Sequence, residues 1–418
     1  MPNYQTFSEV GRTGLKRWGG RIHEEFLPEL SGMNAIRVYR EMRENDPVVG
    51  AIMFAIEMLM RQVSWRVDPV SQNNADLEAA EFLESCLEDM SQTWGDTISE
   101  ILSFLVYGWS FHETVYKRRL GESRDPTKNS KHKDGRIGWR KLPIRAQETL
   151  MEWEFDESGG VQAMRQQPPP DFISRTIPMD KALLFRTRTE KGNPEGRSIL
   201  RNAYRPWYFK RRIEEIEGIG IERDLAGLPV LTPPQDLNIW DDQDPDMVLL
   251  RREAEEMVQG VRRDQMEGVV KPNGWEFSLL STGGRRQIDV GAVIERYDRR
   301  IAMTVLADFI LLGHEKVGSF ALASSKTDLF GVALGAWLDS IAAVFNRYAI
   351  PRLFALNPGL PQEYLPQLKH GDIESPDLKE LGAFIKDMTG VGVIIPDPEL
   401  ESYVRQVAHL PERMEDEE

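Results

Sequence analysis

The chain has 418 residues, 41% of them hydrophobic, enough for two or three domains with cores of their own. Its 67 acidic residues outnumber 52 basic ones, and the net charge of −15 argues against a protein that grips nucleic acid by neutralising phosphates. The single cysteine, Cys86, excludes an intramolecular disulfide and a multi-cysteine zinc site, and it suits synthesis in a reducing cytoplasm.

The amino-terminal stretch carries Arg12, Lys16, Arg17 and Arg21 and lacks the apolar run of a secretory signal. The longest uncharged apolar runs, 47–56 and 329–338, are about half of the ~20 residues that a membrane span needs, so a soluble chain without a membrane partner is expected. The first 110 residues read as helices. Asp46-Pro47 sets a capping carboxylate before a proline, and Val48, Ile52, Ile56, Leu59 and Val63 follow at helical spacing. Further helices are predicted over 74–90 and 96–106, the latter ended by Tyr107-Gly108-Trp109. From 110 to about 185, β-branched and aromatic stretches such as 111–116 and 150–155 alternate with Gly159-Gly160 and Pro168-Pro169-Pro170, the pattern of an antiparallel β-rich subdomain.

Inside that region, residues 117–145 hold eleven Lys and Arg against three acids, a net of +8, which leaves −23 for the rest of the chain. Such a stretch reads either as a solvated hairpin tip or as a patch that meets an acidic partner or a phosphate backbone.

Asn193-Pro194-Glu195 repeats the cap-then-proline start and opens a helical segment over 197–225 with interleaved charges, among them Arg205, Lys210, Arg211, Arg212, Glu214, Glu215 and Glu217. Gly227-Leu228-Pro229 ends it. A separate excursion follows over 232–286: a loop with Asp241, Asp242 and Asp244, a helix over 246–263, and β-like runs at 268–271 and 275–280 joined by Pro272-Asn273-Gly274 as a hairpin. A second long helix is predicted from Asp289 to Leu312. After Gly313 comes a small, polar stretch, 314–325, and then a third long helix over 326–356 in which Pro351 makes a kink or an end. The tail from Asp372 holds 13 acids and four bases.

Signatures of chemistry are absent from the sequence. The six histidines include no pair at i, i+4 spacing, and no GxxxxGK[ST] phosphate loop occurs. Gly218-Ile219-Gly220 is a partial dinucleotide fingerprint with Arg223 at its third position and a helix before it, so it reads as helix-end flexibility. The 236–246 aspartates lack the glycine and terminal glutamate of a calcium loop. No metal, cofactor or catalytic residue is therefore assigned.

The order of elements is β-rich region, long helix, compact excursion, long helix, Gly/Ser/Ala stretch, long helix, acidic tail. With the stretches YGWSFHETVYK (107–117), PEGRSILRNAYRPWYFKR (194–211), ERDLAGLPVLTPP (222–234) and SSKTDLFGVALGAWLDSIAAVFNRYAIPRLF (324–354), it resembles the portal proteins of tailed bacteriophages, the head-to-tail connectors of the Mu-like branch. The resemblance implies a mainly helical α+β fold with wing (1–196), stem helices (197–228 and 287–312), clip (229–286), tunnel loop (313–325), a long wing helix with its connection (326–371) and an acidic crown (372–418). It also implies a ring, commonly of twelve subunits, at one capsid vertex of the virion, passing double-stranded DNA without sequence specificity.

On the same resemblance, the tunnel loop would present His314, Lys316, Gly318, Ser319, Phe320, Ser324, Ser325 and Lys326 to DNA, with Phe320 either lining the channel or buried. The stem charges from Arg205 to Glu217 would meet neighbouring subunits or else pair along their own helix. Asp241, Asp242, Asp244 and Trp275 would dock a terminase or adaptor at the clip. Partners would be the large terminase, the major capsid or scaffold protein and head-completion proteins, the chain itself being no enzyme. Twelve copies at −15 each give a ring of −180, and an acidic lumen lets DNA slide because few counterions are released. The other readings of the sequence are a metal-dependent nuclease using Asp241, Asp242 and Asp244, and a capsid or adaptor protein without a channel.

Overall fold

Two compact units make up the chain: Met1–Ala203 with Ala302–Glu418 form the first, and Tyr204–Ile301 form the second. In this computed structural model the described residues are 11–226, 228–260, 270–280, 289–305, 307 and 320–373, with positions 386, 401 and 405. The fold is mixed α+β with helix predominating.

The first unit opens with the hairpin β1 (Arg17–Trp18) and β2 (Arg21–Ile22), then α1 (Gly32–Asn45) and α2 (Pro47–Gln62). Asp46 caps α2 as its sequence requires, its carboxylate accepting from the Val48 and Val49 amides at 3.0 Å. The buried stripe is Val49, Ile52, Met53, Ile56 and Met60, while Leu59 of the expected face is exposed. Helical spacing alone fits both phases; packing of α1 and α4 (Trp94–Tyr107) against α2 selects one. Between them lie β3 (Trp65–Asp68) and α3 (Asn74–Glu88), whose cap Asn73 accepts from the Asp76 amide.

Eight strands follow: β4 (Trp109–Glu113), β5 (Val115–Arg118), β6 (Ile137–Lys141), β7 (Ile144–Arg145), β8 (Leu150–Phe155), β9 (Val161–Gln166), β10 (Arg175–Pro178) and β11 (Ala182–Arg186). Every pairing among them is antiparallel, in the orders β11-β4-β7, β10-β9-β8 and β5-β6. Ile22, Trp109, Phe111, Trp153, Met164, Ile177, Ala182 and Leu184 bury one core between these strands, with Trp109 edge-on to Trp153 at 5.1 Å.

Two glycines of the portal-like stretches explain each other. Gly108 ends α4 at φ +91, and Gly196 sits at φ +56. A Cβ on Gly196 would lie 2.2 Å from the Gly108 carbonyl oxygen, and one on Gly108 would lie 2.5 Å from that of Glu195. Two backbones touch here, at positions where only glycine fits. The cap-then-proline at 193–195 starts no helix; Asn193 Oδ1 accepts from the Glu195 amide at 2.9 Å in a turn instead.

In the second unit, α5 (Tyr204–Ala226) begins seven residues later than the expected 197. Pro206 lacks an amide hydrogen and must sit in the first turn, so the helix starts just before it. Next come β12 (Leu228–Thr232), α6 (Pro245–Gly260), β13 (Glu276–Leu280) and α7 (Val290–Thr304), the last capped by Asp289 and running into the first unit. The turn at 272–274 is present, Gly274 having φ +86, and β13 pairs antiparallel with β12, Leu228 opposite Leu280; 268 and 269 of the expected hairpin partner lie outside the described residues. That long-range ladder closes the excursion on itself, a partner choice invisible to a local turn signal. Helix α7 ends at Thr304, before the expected Leu312, and 308–312 lie outside the described residues.

Returning to the first unit, α8 (Phe320–Val344) continues through a π turn (Phe345–Ala349) into α9 (Ile350–Ala355). The widened π turn precedes Pro351 and makes room for a ring that would strike the carbonyl four residues back, so the proline neither ends nor breaks the rod. Phe345, on that turn, is fully buried among Trp94 (5.2 Å), Phe185 (5.8 Å) and Trp139 (6.2 Å). Residues 329–355 form a helical stretch that is by length and mean hydropathy sufficient to cross a bilayer, contrary to the shorter runs read from the sequence, because the helix continues through Asp339, Arg347 and Arg352. Its apolar residues Phe330, Leu334, Leu338, Ile341, Leu353 and Phe354 are buried in the first unit. Finally β14 (Gln367–His370) pairs with β3, a contact that no local pattern announces.

Candidate functional site

The second unit holds the residues assigned to stem and clip. Aromatic side chains tie α5 to α7: Phe209 stacks on Tyr297 at 6.5 Å, flanked by Tyr208. Beside them Lys210, 1% exposed, forms an ion pair with Asp298 of α7 at 2.6 Å and a longer one with Glu214 at 3.8 Å. A buried cation is tolerated only when paired, so Lys210 fixes the register of the two helices.

The charges along α5 interact within the chain. Arg211 and Arg212 both reach Glu215, at 3.4 Å and 3.3 Å, and Arg205 lies 6.0 Å from the Phe209 ring. These are the i, i+3 and i, i+4 pairs left open by the sequence, at exposed positions where such pairs add little stability. Glu217 is half-buried, and Ile216 and Ile219 are left exposed on the outer face.

In the aspartate loop, Asp241 and Asp244 accept from the Gln243 and Asp246 amides at 3.0 Å and 2.9 Å, and Asp242 pairs with Arg251 at 2.9 Å. All three carboxylates serve loop structure, and among the described residues no group of acids, histidines and cysteine could hold a metal ion. Trp275 is buried, whereas Trp240, which the sequence did not single out, is 69% exposed with Arg251 over its ring at 5.4 Å. His314, Lys316, Gly318 and Ser319 lie outside the described residues. Phe320, Ser324, Ser325 and Lys326 are on α8, which begins six residues before the expected start; no glycine or proline lies between Gly318 and Lys326 to oppose a helix there.

The family model described as "Portal protein of Mu bacteriophage" matches residues 36–409. The chain belongs to this portal-protein family. Among solved structures, a chain of "Virion of native gene transfer agent (GTA) particle" is similar at 12% identity and TM-score 0.56, covering 96% of each chain. A chain of "Neck of native GTA particle computed with C12 symmetry" is similar at 12% identity and TM-score 0.53, covering 90% of this chain and 93% of that one. At such identities the likeness is one of fold.

In this portal-family chain part of the basic segment is structural. Lys117 and Asp89, each 3% exposed, form an ion pair at 3.1 Å; Lys117 Nζ also donates to the Asp89 and Asn129 carbonyls. Burial pushes the Asp89 carboxyl up, but hydrogen bonds from Ser130 Oγ, the Lys131 amide and Lys117 outweigh it and hold it below the usual range. Arg119 is buried against Asp134 (3.0 Å) and Ser85 Oγ (2.8 Å), Lys128 pairs with Asp125, and Arg136 and Arg145 pair with Glu78 and Glu113. Five of the eleven cations are thereby satisfied inside the chain.

The portal-family first unit also contains a cleft that no motif announced. Two adjoining cavities of about 270 Å³ and 320 Å³ share Ile22, Tyr39, Tyr107 and Glu195 in their walls. The chain after β2 crosses it, held by Glu24 to Lys191 (2.9 Å) and Glu25 to Arg201 (2.5 Å). Glu195 accepts from Trp153 Nε1 at 3.2 Å, and burial pushes its carboxyl up to about 7.

Proposed function

We propose that this protein is the subunit of a portal ring in a phage or gene transfer agent particle, forming the channel through which double-stranded DNA enters and leaves. The observation that carries this reading is the family match over residues 36–409, which runs through both units without interruption. The C12 symmetry of the similar GTA neck supports twelve subunits.

The first unit serves as wing, α5 and α7 as the stem, and β12, α6 and β13 as the clip. Of the tunnel loop 313–325, residues 313–319 lie outside the described residues, as does most of the acidic crown, and 320–325 open α8. At the clip, exposed Trp240 beside Asp241, Asp242 and Asp244 is the surface offered to a large terminase or adaptor, whereas Trp275 is buried. Capsid or scaffold protein meets the wing. The role is mechanical: the net charge of −15 per subunit keeps DNA from adhering, and energy for packaging comes from a separate ATP-hydrolysing partner.

Electron microscopy of the purified protein tests this. Rings with a central hole wide enough for duplex DNA are expected; particles that stay monomeric or dimeric under several assembly conditions refute the proposal. Metal-dependent cleavage of plasmid DNA that is lost on Asp242→Ala would instead establish the nuclease reading.

A further inference from the structure

The hairpin formed by β5, β6 and the loop between them is a rigid scaffold. The Arg119 amide donates to the Arg136 carbonyl at 2.8 Å, the Gly121 amide to that of His132 at 2.9 Å, and the Ser123 amide to Asn129 Oδ1 at 2.8 Å. Buried Lys117 and Asp89 clamp that loop onto the end of α3. Once its internal ion pairs are assigned, four exposed cations remain on it without an acidic partner: Arg118, Arg124, Lys131 and Lys133. Among the described residues, Glu122 is the tip's only acid outside an ion pair.

We propose that this tip is a binding site for the phosphate backbone of duplex DNA, in the first unit and separate from the α5–α7 pair. A protein partner would need an apolar or aromatic centre to its interface, and of the large apolar residues between 117 and 145 only Leu120 is exposed. Charge without an apolar core is the composition of a protein–DNA contact. Single strands are bound by stacking on aromatic rings, and the one tryptophan of the segment, Trp139, is fully buried. Phosphates of a duplex remain, touched without base reading. The clamped loop holds its four cations in place before contact, which lowers the ordering cost of binding. The overall charge of −15 opposes it, so the contact is weak and reversible.

Closed circular duplex DNA is the probe, because it cannot thread a ring; the outcome is thus independent of the channel reading, which ring imaging tests separately. Four phosphate contacts give a log–log salt slope of about −3.6, a loss of affinity on the order of 100-fold between about 50 mM and about 200 mM salt. Changing Arg118, Arg124, Lys131 and Lys133 together to Gln is expected to weaken binding at the lower salt at least ~10-fold and to bring the slope near zero. The single exposed Lys131→Gln substitution, which leaves the backbone bond to Asp89 in place, should reduce the slope by about 0.9. Absence of binding by the native protein at the lower salt overturns the proposal and leaves the patch to an acidic protein surface. An unchanged slope in both variants overturns it equally.

Discussion

Replacing Gly108 by alanine tests the backbone contact on which the first unit is built. The residue sits at φ +91, where an L side chain costs about 1–2 kcal/mol. The new Cβ would stand 2.5 Å from the Glu195 carbonyl oxygen and 2.9 Å from the Arg197 nitrogen. Those are main-chain atoms, so relief requires moving a strand end, and overpacking of this kind costs about 1–3 kcal/mol more. The shift also strains the Gly108 carbonyl, which accepts from the Thr187 amide at 3.1 Å. The expected loss is therefore about 2–5 kcal/mol, or roughly 3–8 °C in Tm for a unit of this size. Denaturant unfolding followed by fluorescence reads it directly, since Trp109 and Trp153 lie in the adjoining core. Because Gly196 faces the same contact, Gly108→Ala and Gly196→Ala together should cost less than the sum of the two alone. A loss below about 0.5 kcal/mol for Gly108→Ala, the range of a neutral surface change, would refute the reasoning.

Two buried groups give opposite pH dependences. Glu195, raised to about 7, takes up a proton on folding, so its contribution falls as pH rises from about 4.5 to about 7; His112, buried with Nδ1 2.9 Å from the Leu142 carbonyl and lowered to about 4, releases one, so its contribution is lost as pH falls from about 6.5 to about 4. The terms offset each other near pH 5–6, and Glu195→Gln should expose the histidine term as a slope of about +1.4 kcal/mol per pH unit there; an unchanged profile counts against both assignments. Asp89→Ala strands the Lys117 ammonium inside the protein and should cost about 3–5 kcal/mol in thermal or denaturant melts, whereas a cost under about 1 kcal/mol would mean that water reaches the site. With its folded value depressed, Asp89 stabilises fully above the ordinary aspartate range and loses that contribution as pH falls through its lowered value. On the ring reading, Ile216→Asp with Ile219→Asp, at exposed positions of α5, should leave melting unchanged and weaken assembly as seen by sedimentation; intact rings would remove this face from the subunit contact.

Local chemistry written in adjacent residues was readable in advance. Asp46-Pro47 starts α2, Gly108 ends α4, and Pro272-Asn273-Gly274 turns the chain, because each device acts within one or two turns of its own backbone. The order of elements was legible for the same reason, and it sufficed to reach the portal family. Local signals also misled where a partner decided the outcome. The turn at 272–274 carried no hint that β13 takes a ladder from β12, some fifty residues earlier. Pro351 suggested a kink or an end, but a π turn absorbs it once Phe345 is held among Trp94, Trp139 and Phe185.

Charge shows the division most sharply. The sequence alone determined the total, −15, and the location of its one positive island. Which of those cations are structural and which are displayed was decided by tertiary structure, because three of the pairs depend on acids brought from α3, its end and β4 rather than on neighbours in the chain. A buried charge must find its counter-ion or pay several kcal/mol, so folding consumes Lys117 and Arg119 and leaves Arg118, Arg124, Lys131 and Lys133 facing solvent.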